Sequence, residues 1–358
     1  MPPASIEIRP VVVPTRADGP DAEDFRHTVA VRNRVYREVS GHDDHAMTPA
    51  ELLPVYQPDP HEKRLLWLVL RDGEPVGRLG ADIPLEAGSR GAYLLIELIR
   101  DAWGEGIGST AYELLERTAR SEGRSVLQTW VEHIAAPGEQ LVPPTGFGSI
   151  PRDHAARFLL RHGYALEQVV RMSAFALPGS RDALTAQLDA ARAASTEYRT
   201  VQWWLPTPDE FVDGYAWMKS RMSTDAPAAG MEYDEEAWDA ARLRRHDAEY
   251  LDGGRRVLVT AAQHLASGEL CAFNELAIGP DSTSASHQED TLVLAAHRGH
   301  RLGMLVKAAG LLTWRDAFPH SPRVITYNAE ENRPMLDINE ALSFVPETYE
   351  GAWKKMLS

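Results

Sequence analysis

An α/β fold repeated in tandem is what the sequence predicts, on three observations. The 358 residues suffice for two domains with sizeable cores, at roughly 100 to 200 residues per domain. The same order of extended and helical segments runs through the chain twice. In each pass an apolar strand leads through a glycine-containing loop into a helix, and the closing glycines, Gly108 and Gly303, stand 195 residues apart. The chain therefore reads as an internal duplication, with modules at 1–177 and 198–358 joined by a helical connector at 178–197.

In the first pass IEIRPVVV, from Ile6, alternates like a strand, and 24–38 reads as a charged helix. After a polar, proline-spotted stretch, LLWLVL (65–70) and PVGRLGADIPL (75–85) form a hairpin turning at Asp72 and Gly73. YLLIELI (93–99) is a buried strand that enters WGEGIG (103–108). The helix over 109–121 places Tyr112, Leu115 and Ala119 on one face and stops at Gly123. A strand follows at 125–131, then a helix capped by Asp153 that runs through Phe158 and Leu159 to Gly163, then an extended stretch at 164–177. The segment 180–195 is alanine-rich without a breaker and reads as a helix.

The second pass opens with a strand at 198–204 and a helix at 208–222. Segments 256–265 and 269–278 make a hairpin around Ser267 and Gly268. TLVLAA (291–296) is a buried strand, HRGHRLG (297–303) the loop, and 304–317 a helix with Leu305, Ala308 and Leu312 inward. A strand at 323–329 and a helix opened by Pro334, with Met335, Ile338 and Leu342 inward, complete the order.

Composition narrows the function. Lys and Arg number 37 against 52 Asp and Glu, a formal charge of −15, and there is one cysteine. These exclude a disulfide scaffold and a basic nucleic-acid binder. No run approaches the ~18 apolar residues of a membrane helix, and the start lacks a secretory pattern. The expectation is a cytoplasmic protein with no membrane or nucleic-acid partner, whose acidity favours cationic small molecules. The sequence does not fix an oligomeric state.

A strand that delivers a glycine loop into a helix start aims backbone N–H groups and the positive end of the helix dipole at one place, which suits an anion. The dinucleotide pattern G-x-G-x-x-G is not met, because residue 109 is Ser109 and 298–303 lacks two glycines at that spacing. No G-K-S/T follows either loop. What is left is Arg or Gln, two residues, Gly, one residue, then Gly or Ala. With DTLVLAAHRGHRLGMLVK (290–307) and ITYNAEENRPMLDINEALSF (325–344), the sequence resembles the GNAT superfamily of acyl-CoA-dependent N-acyltransferases, in tandem form and distantly like mycothiol synthase. AARFLLRHGY (155–164) matches the closing motif of that superfamily.

The resemblance covers 1–177 and 198–358. It implies mixed, mostly antiparallel sheets flanked by helices and a loop that cradles the CoA pyrophosphate. It also implies a strand that splays from its neighbour to admit the pantetheine arm, with backbone N–H groups that polarise the thioester carbonyl. Acetyl-CoA would be the co-substrate, with no metal. The N-terminal loop keeps Gly104, Gly106 and Gly108 but has Trp103 at the Arg/Gln position and an acidic Glu105. The C-terminal loop keeps Arg298, Gly299 and Gly303 and has Arg301 at the first motif glycine, flanked by His300, with Lys307 a turn further on. Arg301 is expected to donate its N–H with a negative φ, and the cations are expected to surround the anion. Electrostatics thus favours the C-terminal half as the working site. The N-terminal half is left as a second CoA site without turnover or as scaffold.

Acyl transfer to an amine needs oxyanion donors, a base and a proton source. The resemblance puts the donors at Leu294, Ala295 and Ala296. Asp290, beside Glu289, is the first candidate base and Glu275 the second. The superfamily's proton-donating tyrosine aligns with Asn339, and with Leu159 in the N-terminal half. Asparagine can hydrogen-bond a thiol but supplies no ionisable proton, so Tyr327 or water is the replacement. Asn328 and Asn332 flank the splayed strand and are expected at pantetheine, although a helix cap alone would explain Asn332. Ser343 replaces the glycine of the closing motif.

Other constellations carry less. GHDDH (41–45) lacks the spacing of a metal site, G-x-S-x-G is absent, and Cys271 reads as a core residue. Trp203, Trp204, Trp217 and Trp238 are at packing positions. The expected function is transfer of an acetyl group to a primary amine of a small molecule by direct attack in a ternary complex. The alternative, motivated by Trp103, Leu159 and Asn339, is an inactive acyl-CoA-binding sensor or scaffold. The acceptor would be chosen by the loops at 41–63 and 222–250.

Overall fold

The computed structural model describes residues 5–179, 181–225 and 227–358; Ser180, at the start of the expected connector helix, lies outside the described residues. Alternating and apolar runs form β1 (Ile6–Pro10) and, after the helices α1 (Glu23–Ser40) and α2 (Pro49–Leu52), β2 (Glu62–Arg71), β3 (Glu74–Pro84) and β4 (Gly91–Leu98). The chain continues through α3 (Ile107–Ser121), β5 (Val126–His133), the short pair β6 (Gln140–Leu141) and β7 (Ile150–Pro151), α4 (His154–Arg161) and β8 (Ala165–Ala176). Asp153 caps α4, accepting the Ala156 N–H at 2.9 Å.

The second pass comprises α5 (Arg181–Ala194), β9 (Tyr198–Trp204), α6 (Asp209–Asp225), α7 (Ala240–Asp252), β10 (Arg256–His264), β11 (Leu270–Ile278) and β12 (Ser286–Val293). It closes with α8 (Leu302–Ala317), β13 (Arg323–Ala329), α9 (Arg333–Ala341) and β14 (Val345–Met356). The stretch 222–250, expected as a loop, holds most of α7, whose N-cap Asp239 accepts the Arg242 N–H at 2.8 Å.

Two compact units result: Met1–Val169 with Ala228–Asp234 and Thr348–Ser358, and Val170–Pro227 with Glu235–Glu347. Unit 1 has strand order β1-β2-β3-β4-β5-β14, in which β4 and β5 alone run parallel. Unit 2 has β8-β13-β12-β11-β10-β9, again with one parallel pair, β12 and β13. The boundaries differ from those expected at 177 and 198. From Val170 onward β8 ladders with β13 and belongs to unit 2, while Trp353 and its neighbours on the last strand ladder with β5 and belong to unit 1. Long-range pairing, which no local pattern encodes, decides this. Nor is α5 a mere connector: Leu184, Leu188 and Ala191 are buried in one core with Leu305 and Ala308 of α8.

Helices cover both faces of each sheet, as the resemblance implied. In unit 1 Leu115 and Ala119 of α3 share a core with Leu79, Ala81 and Ile83 of β3, and Phe25 and Val29 of α1 pack on Leu66, Leu68 and Leu70 of β2. In unit 2 the core with α5 and α8 lies on one face, and Val212, Tyr215 and Met218 of α6 meet Val259, Phe273 and Leu292 on the other. Each such fully buried aliphatic side chain contributes roughly 1.5–3 kcal/mol.

The parallel strands separate soon after they start. β4 and β5 pair over Gly91–Tyr93 with Val126–Gln128, and β12 and β13 only at Ser286 and His287 with Val324 and Ile325. Each unit thus contains a wedge-shaped gap between two strands, beneath a glycine loop.

Candidate active site

In unit 2 the strand bordering the gap is irregular. Asn274 of β11 pairs with Thr291 and Leu276 with Gln288, so Glu289 and Asp290 together oppose Glu275. This β-bulge sends two successive carboxylates to one face. Glu289 is held by Arg255 at 2.9 Å. Asp290 accepts the Lys219 ammonium at 2.7 Å, and both Glu275 oxygens accept it at 3.2 Å. The Tyr215 hydroxyl also donates to Glu275.

The two candidate bases are therefore not equivalent. Glu275 is buried beneath Lys219 and Tyr215 and cannot meet an acceptor directly, whereas the Asp290 side chain is 40% exposed. Burial alone would raise the Asp290 pKa, but the adjoining Lys219 ammonium outweighs it and holds the carboxyl below its ordinary value. Lys219 itself is raised although burial opposes it, because both carboxylates stabilise its charge. The rings of Trp238 and Phe273 lie 5.4 and 5.8 Å from its nitrogen. Sequence reasoning missed Lys219, which on an amphipathic helix reads as a solvated cation.

The loop follows. Leu294 is not a free oxyanion donor, because its N–H bonds the Cys271 carbonyl at 2.9 Å. Ala295 and Ala296 are not on a strand either: Ala295–His297 form a 3-10 turn. Strand alternation turns the Val293 N–H to the opposite edge, toward the gap, one residue before those expected. Arg298 folds back to donate Nε–H to the Val293 carbonyl at 3.2 Å.

Gly299 has φ 90° and Arg301, the N-cap of α8, has φ 56°. The expected negative φ at Arg301 is thus corrected: the loop needs a left-handed residue there, and arginine adopts that conformation at a cost of about 1–2 kcal/mol. The His300 ring lies 5.5 Å from Tyr198. Gly303 serves packing, since a Cβ there would meet Ile338 of α9 at 2.8 Å.

Lys307 does not join these cations. It is fully buried on α8 and donates to Asn339 Oδ1, with Met335 Sδ at 3.5 Å. Asn339 Nδ2 in turn donates to Asn328 Oδ1 on β13 at 2.7 Å. Asn332 occupies the N-cap position of α9 but its side chain makes no cap hydrogen bond, so capping does not explain it. Tyr327 projects from the other face of β13, against Met172, Ala174 and Ile325, away from Asn328 and Asn339. Ser343 takes φ 72° and ends α9 as Gly163, at φ 84°, ends α4.

At the root of the gap Gln288 Nε2 donates to Thr326 Oγ1 at 2.8 Å, and Gln288 Oε1 is buried without a partner. A buried orphan acceptor beside a narrow gap fits an amide N–H such as those of pantetheine.

Unit 1 repeats the path without the bulge. Its β3–β4 register runs without a bulge from Gly77 and Leu98 to Asp82 and Tyr93, and Gly80 and Leu95 stand where Glu275 and Asp290 stand in unit 2. Gly104 and Gly106 have φ 81° and 83°, and Gly108 packs against Phe158. Trp103 donates Nε1–H to the Leu98 carbonyl at 2.9 Å, the structural job of Arg298. Glu105 is paired with Arg71 at 2.7 Å, which offsets its charge. Leu159 is buried.

The donor atoms of the 41–45 loop are engaged locally: Arg37 holds Asp43 at 2.5 Å and Asp44 lies 3.4 Å from His42. Glu269, Cys271 and His297 bring donor atoms within 4.8 Å of one another. Burial first, and Glu269 second, push the Cys271 thiol up to about 11, so it stays protonated as the core residue expected.

Similarity to known proteins agrees with this geometry. Residues 32–137 match the acetyltransferase (GNAT) family. A tandem GNAT protein from the clavulanic acid biosynthesis pathway superposes with TM-score 0.75 at 21% identity, over 98% of each chain. The chain is a tandem GNAT-fold protein. A GCN5-related N-acetyltransferase from Sphaerobacter thermophilus shares the fold of this chain with TM-score 0.62 and 14% identity, over 98% of this chain and 95% of that one. A putative acetyltransferase from Pyrococcus horikoshii does so with TM-score 0.54 and 12% identity, over 99% and 90%. No curated protein matches the sequence significantly. Among the described residues no helix is long and apolar enough to cross a membrane.

Proposed function

We propose that this chain transfers an acyl group, most simply acetyl, from CoA to a primary amine of a small molecule in a ternary complex, with unit 2 as the working module and a cytoplasmic setting. The observation that carries the reading is the bulge at Glu289 and Asp290, which places an accessible carboxylate beside the gap that a thioester would enter. Unit 1, without the bulge and with Leu95 at the Asp290 position, serves as scaffold or as a second CoA site at Gly104, Gly106 and Gly108.

The start of α8 and the loop residues Gly299, His300, Arg301 and Gly303 would hold the pyrophosphate, with the Arg298 guanidinium at the strand end. Pantetheine would follow the gap past Gln288, Asn328 and Asn332, and the Val293 N–H would donate to the thioester carbonyl, strengthening as that oxygen gains charge. Asp290, kept ionised by Lys219, would attract the acceptor ammonium and pass its proton to water, freeing the nitrogen lone pair to attack.

The test is CoA-thiol release from acetyl-CoA against a panel of primary amines. Asp290→Asn is expected to lower kcat about 10²–10³-fold, and Arg298→Ala to raise the KM for acetyl-CoA about tenfold with kcat little changed. Unchanged kinetics in both variants would remove this assignment; saturable acetyl-CoA binding with no thiol released by any amine would return the inactive reading.

A further inference from the structure

A second irregularity in unit 2 surrounds the single cysteine of the chain. Ala262 of β10 pairs with Ala272 of β11 and Gln263 with Leu270, so Cys271 is the extra residue of a β-bulge. The bulge turns Cys271 and Ala272 together to the face covered by α5 and α8, while Leu270 and Phe273 point to the face covered by α6. Glu269, one residue before Leu270, shares the Cys271 face. The third member comes from the end of β12. The Leu294 N–H donates to the Cys271 carbonyl at 2.9 Å, and the 3-10 turn that follows brings His297 alongside. A Glu269 carboxylate oxygen, the Cys271 sulfur and a His297 ring nitrogen all lie within 4.8 Å of one another. His297 Nε2 is 3.7 Å from Glu269 Oε2, beyond hydrogen-bonding distance.

Orientation, size and charge all suit a cation among these three atoms. The other ring nitrogen, His297 Nδ1, lies 2.9 Å from the Tyr198 hydroxyl. With Nδ1–H donated to that oxygen, Nε2 aims its lone pair at the sulfur and the carboxylate, and a partner of this kind is what holds a metal-binding histidine in place. Bonds of about 2.3 Å to sulfur and about 2.0–2.2 Å to nitrogen and oxygen place neighbouring donors of a zinc tetrahedron about 3.4–3.7 Å apart. The Glu269 side chain is 46% exposed and has room to move the remaining ångström or so. A thiolate and a carboxylate together cancel the charge of a divalent ion, so the complete site brings no net charge to the buried sulfur. Sulfur and imidazole select zinc over magnesium and calcium, which take oxygen shells.

We propose that Glu269, Cys271 and His297 bind one zinc ion, with water in the fourth tetrahedral position. As the Zn–S bond forms, the thiol proton of Cys271 passes to solvent. The ion ties the turn that carries His297 to the hairpin of β10 and β11. His297 directly precedes Arg298, so the clip ends where the loop 298–303 begins and holds the near end of that loop. Lys219 and Glu275 lie with Tyr215 on the α6 side of the sheet, opposite Cys271, so the zinc takes no part in proton transfer at Asp290.

The experiment uses the whole chain without an affinity tag, with cobalt(II) and zinc(II) as probes. Because Cys271 is the only cysteine, a thiolate-to-cobalt charge-transfer band in the near ultraviolet reports this site alone. The band is expected to saturate at one cobalt per chain and to be displaced by zinc. Cys271→Ser should abolish it, Glu269→Gln should weaken zinc binding at least about tenfold, and Tyr198→Phe, which only releases the imidazole, about tenfold. If Cys271→Ser fails to fold, the wild-type band and its weakening in Glu269→Gln, a change at an exposed side chain, decide the matter. With zinc bound, amide exchange across 298–303 should slow, and unchanged exchange would overturn the clip. Absence of the band at saturating cobalt, or equal zinc affinity in the wild-type protein and Cys271→Ser, overturns the site; the second result places the zinc on other histidines. None of these readouts involves CoA, so their failure leaves the acyl-transfer reading untouched.

Discussion

In unit 1 the loop before α3 turns at Gly104 and Gly106, with φ 81° and 83°; in unit 2 the loop before α8 turns at Gly299 and Arg301, with φ 90° and 56°. A side-chain N–H caps the strand-end carbonyl in both, from Trp103 in one and Arg298 in the other. The closing helix ends through a left-handed residue in both, Gly163 and Ser343. The backbone path is thus the same while the residue types differ. Where chemistry is concerned the units part: a continuous β3–β4 ladder against a bulged β11–β12 ladder, Tyr112 against Lys307, Leu159 against Asn339. A fold tolerates many residues on one path, but only the bulged ladder carries two successive carboxylates, Glu289 and Asp290. The bulge is the difference on which the proposed function rests.

Each unit also buries one ion pair beneath its sheet, Arg78 with Glu97 at 2.6 Å in unit 1 and Lys219 with Glu275 at 3.2 Å in unit 2. Removing the cation leaves a carboxylate buried and uncompensated, so Arg78→Met and Lys219→Met should each cost about 3–5 kcal/mol in denaturant unfolding. The comparison sharpens in the double variants. Lys219→Met with Glu275→Gln should recover most of the stability but not the kcat, because Asp290 has still lost its cation. Arg78→Met with Glu97→Gln should recover stability with turnover unaffected throughout. A unit 1 double variant that lost turnover would show that chemistry is not confined to unit 2.

How much of this was legible follows from what local pattern can encode. Strand and helix periods, turn residues and the Asp153 cap are local, and the tandem order was readable from them. The bulge was not, since it is a relation between β11 and β12; without it TLVLAA read as strand through Ala296, whereas β12 ends at Val293. The same holds for the last strand, whose partner β5 lies more than two hundred residues earlier. Lys219 was passed over and Lys307 misjudged because lysines on helices are usually solvated. The signal available for Lys307 was its apolar helix: from Leu302 to Leu311 every residue of α8 is buried, so no solvated face was left for a cation.

The Lys307 and Tyr112 positions offer a smaller, pH-dependent contrast. Lys307 has a folded pKa of about 7 against an ordinary value of 10.5, so the unfolded chain binds more protons between those limits. Stability therefore rises as pH climbs from 7 to 10.5, and the full cost of burying the ammonium is present below 7. Lys307→Met should stabilise the protein by about 2–4 kcal/mol at pH 6, with the gain shrinking toward pH 10. Tyr112, bonded to Glu116 at 2.5 Å and Lys355 at 2.7 Å, is raised first by burial and next by Glu116, and stays neutral over the same range. Tyr112→Phe should give a pH-independent change between pH 6 and 9. Thermal melts of both variants at several pH values make the check, and a flat Lys307→Met profile would mean the ammonium is solvated in the folded protein.

The left-handed positions give the smallest effects and the cleanest separation of backbone from chemistry. Ser343 and Arg301 hold positive φ where Gly163 and Gly106 do so freely. Ser343→Gly should stabilise unit 2 by about 0.5–1 kcal/mol and leave turnover alone, and Gly163→Ser should destabilise unit 1 by a similar amount. Arg301→Gly relieves the same strain but removes a cation from the anion site, so its two readouts should move in opposite senses: a higher melting temperature and a higher KM for acetyl-CoA. Equal KM values for Arg301→Gly and the wild-type protein would mean that the N-terminal backbone of α8 holds the pyrophosphate unaided, and the electrostatic argument for preferring unit 2 would then rest on Arg298 alone.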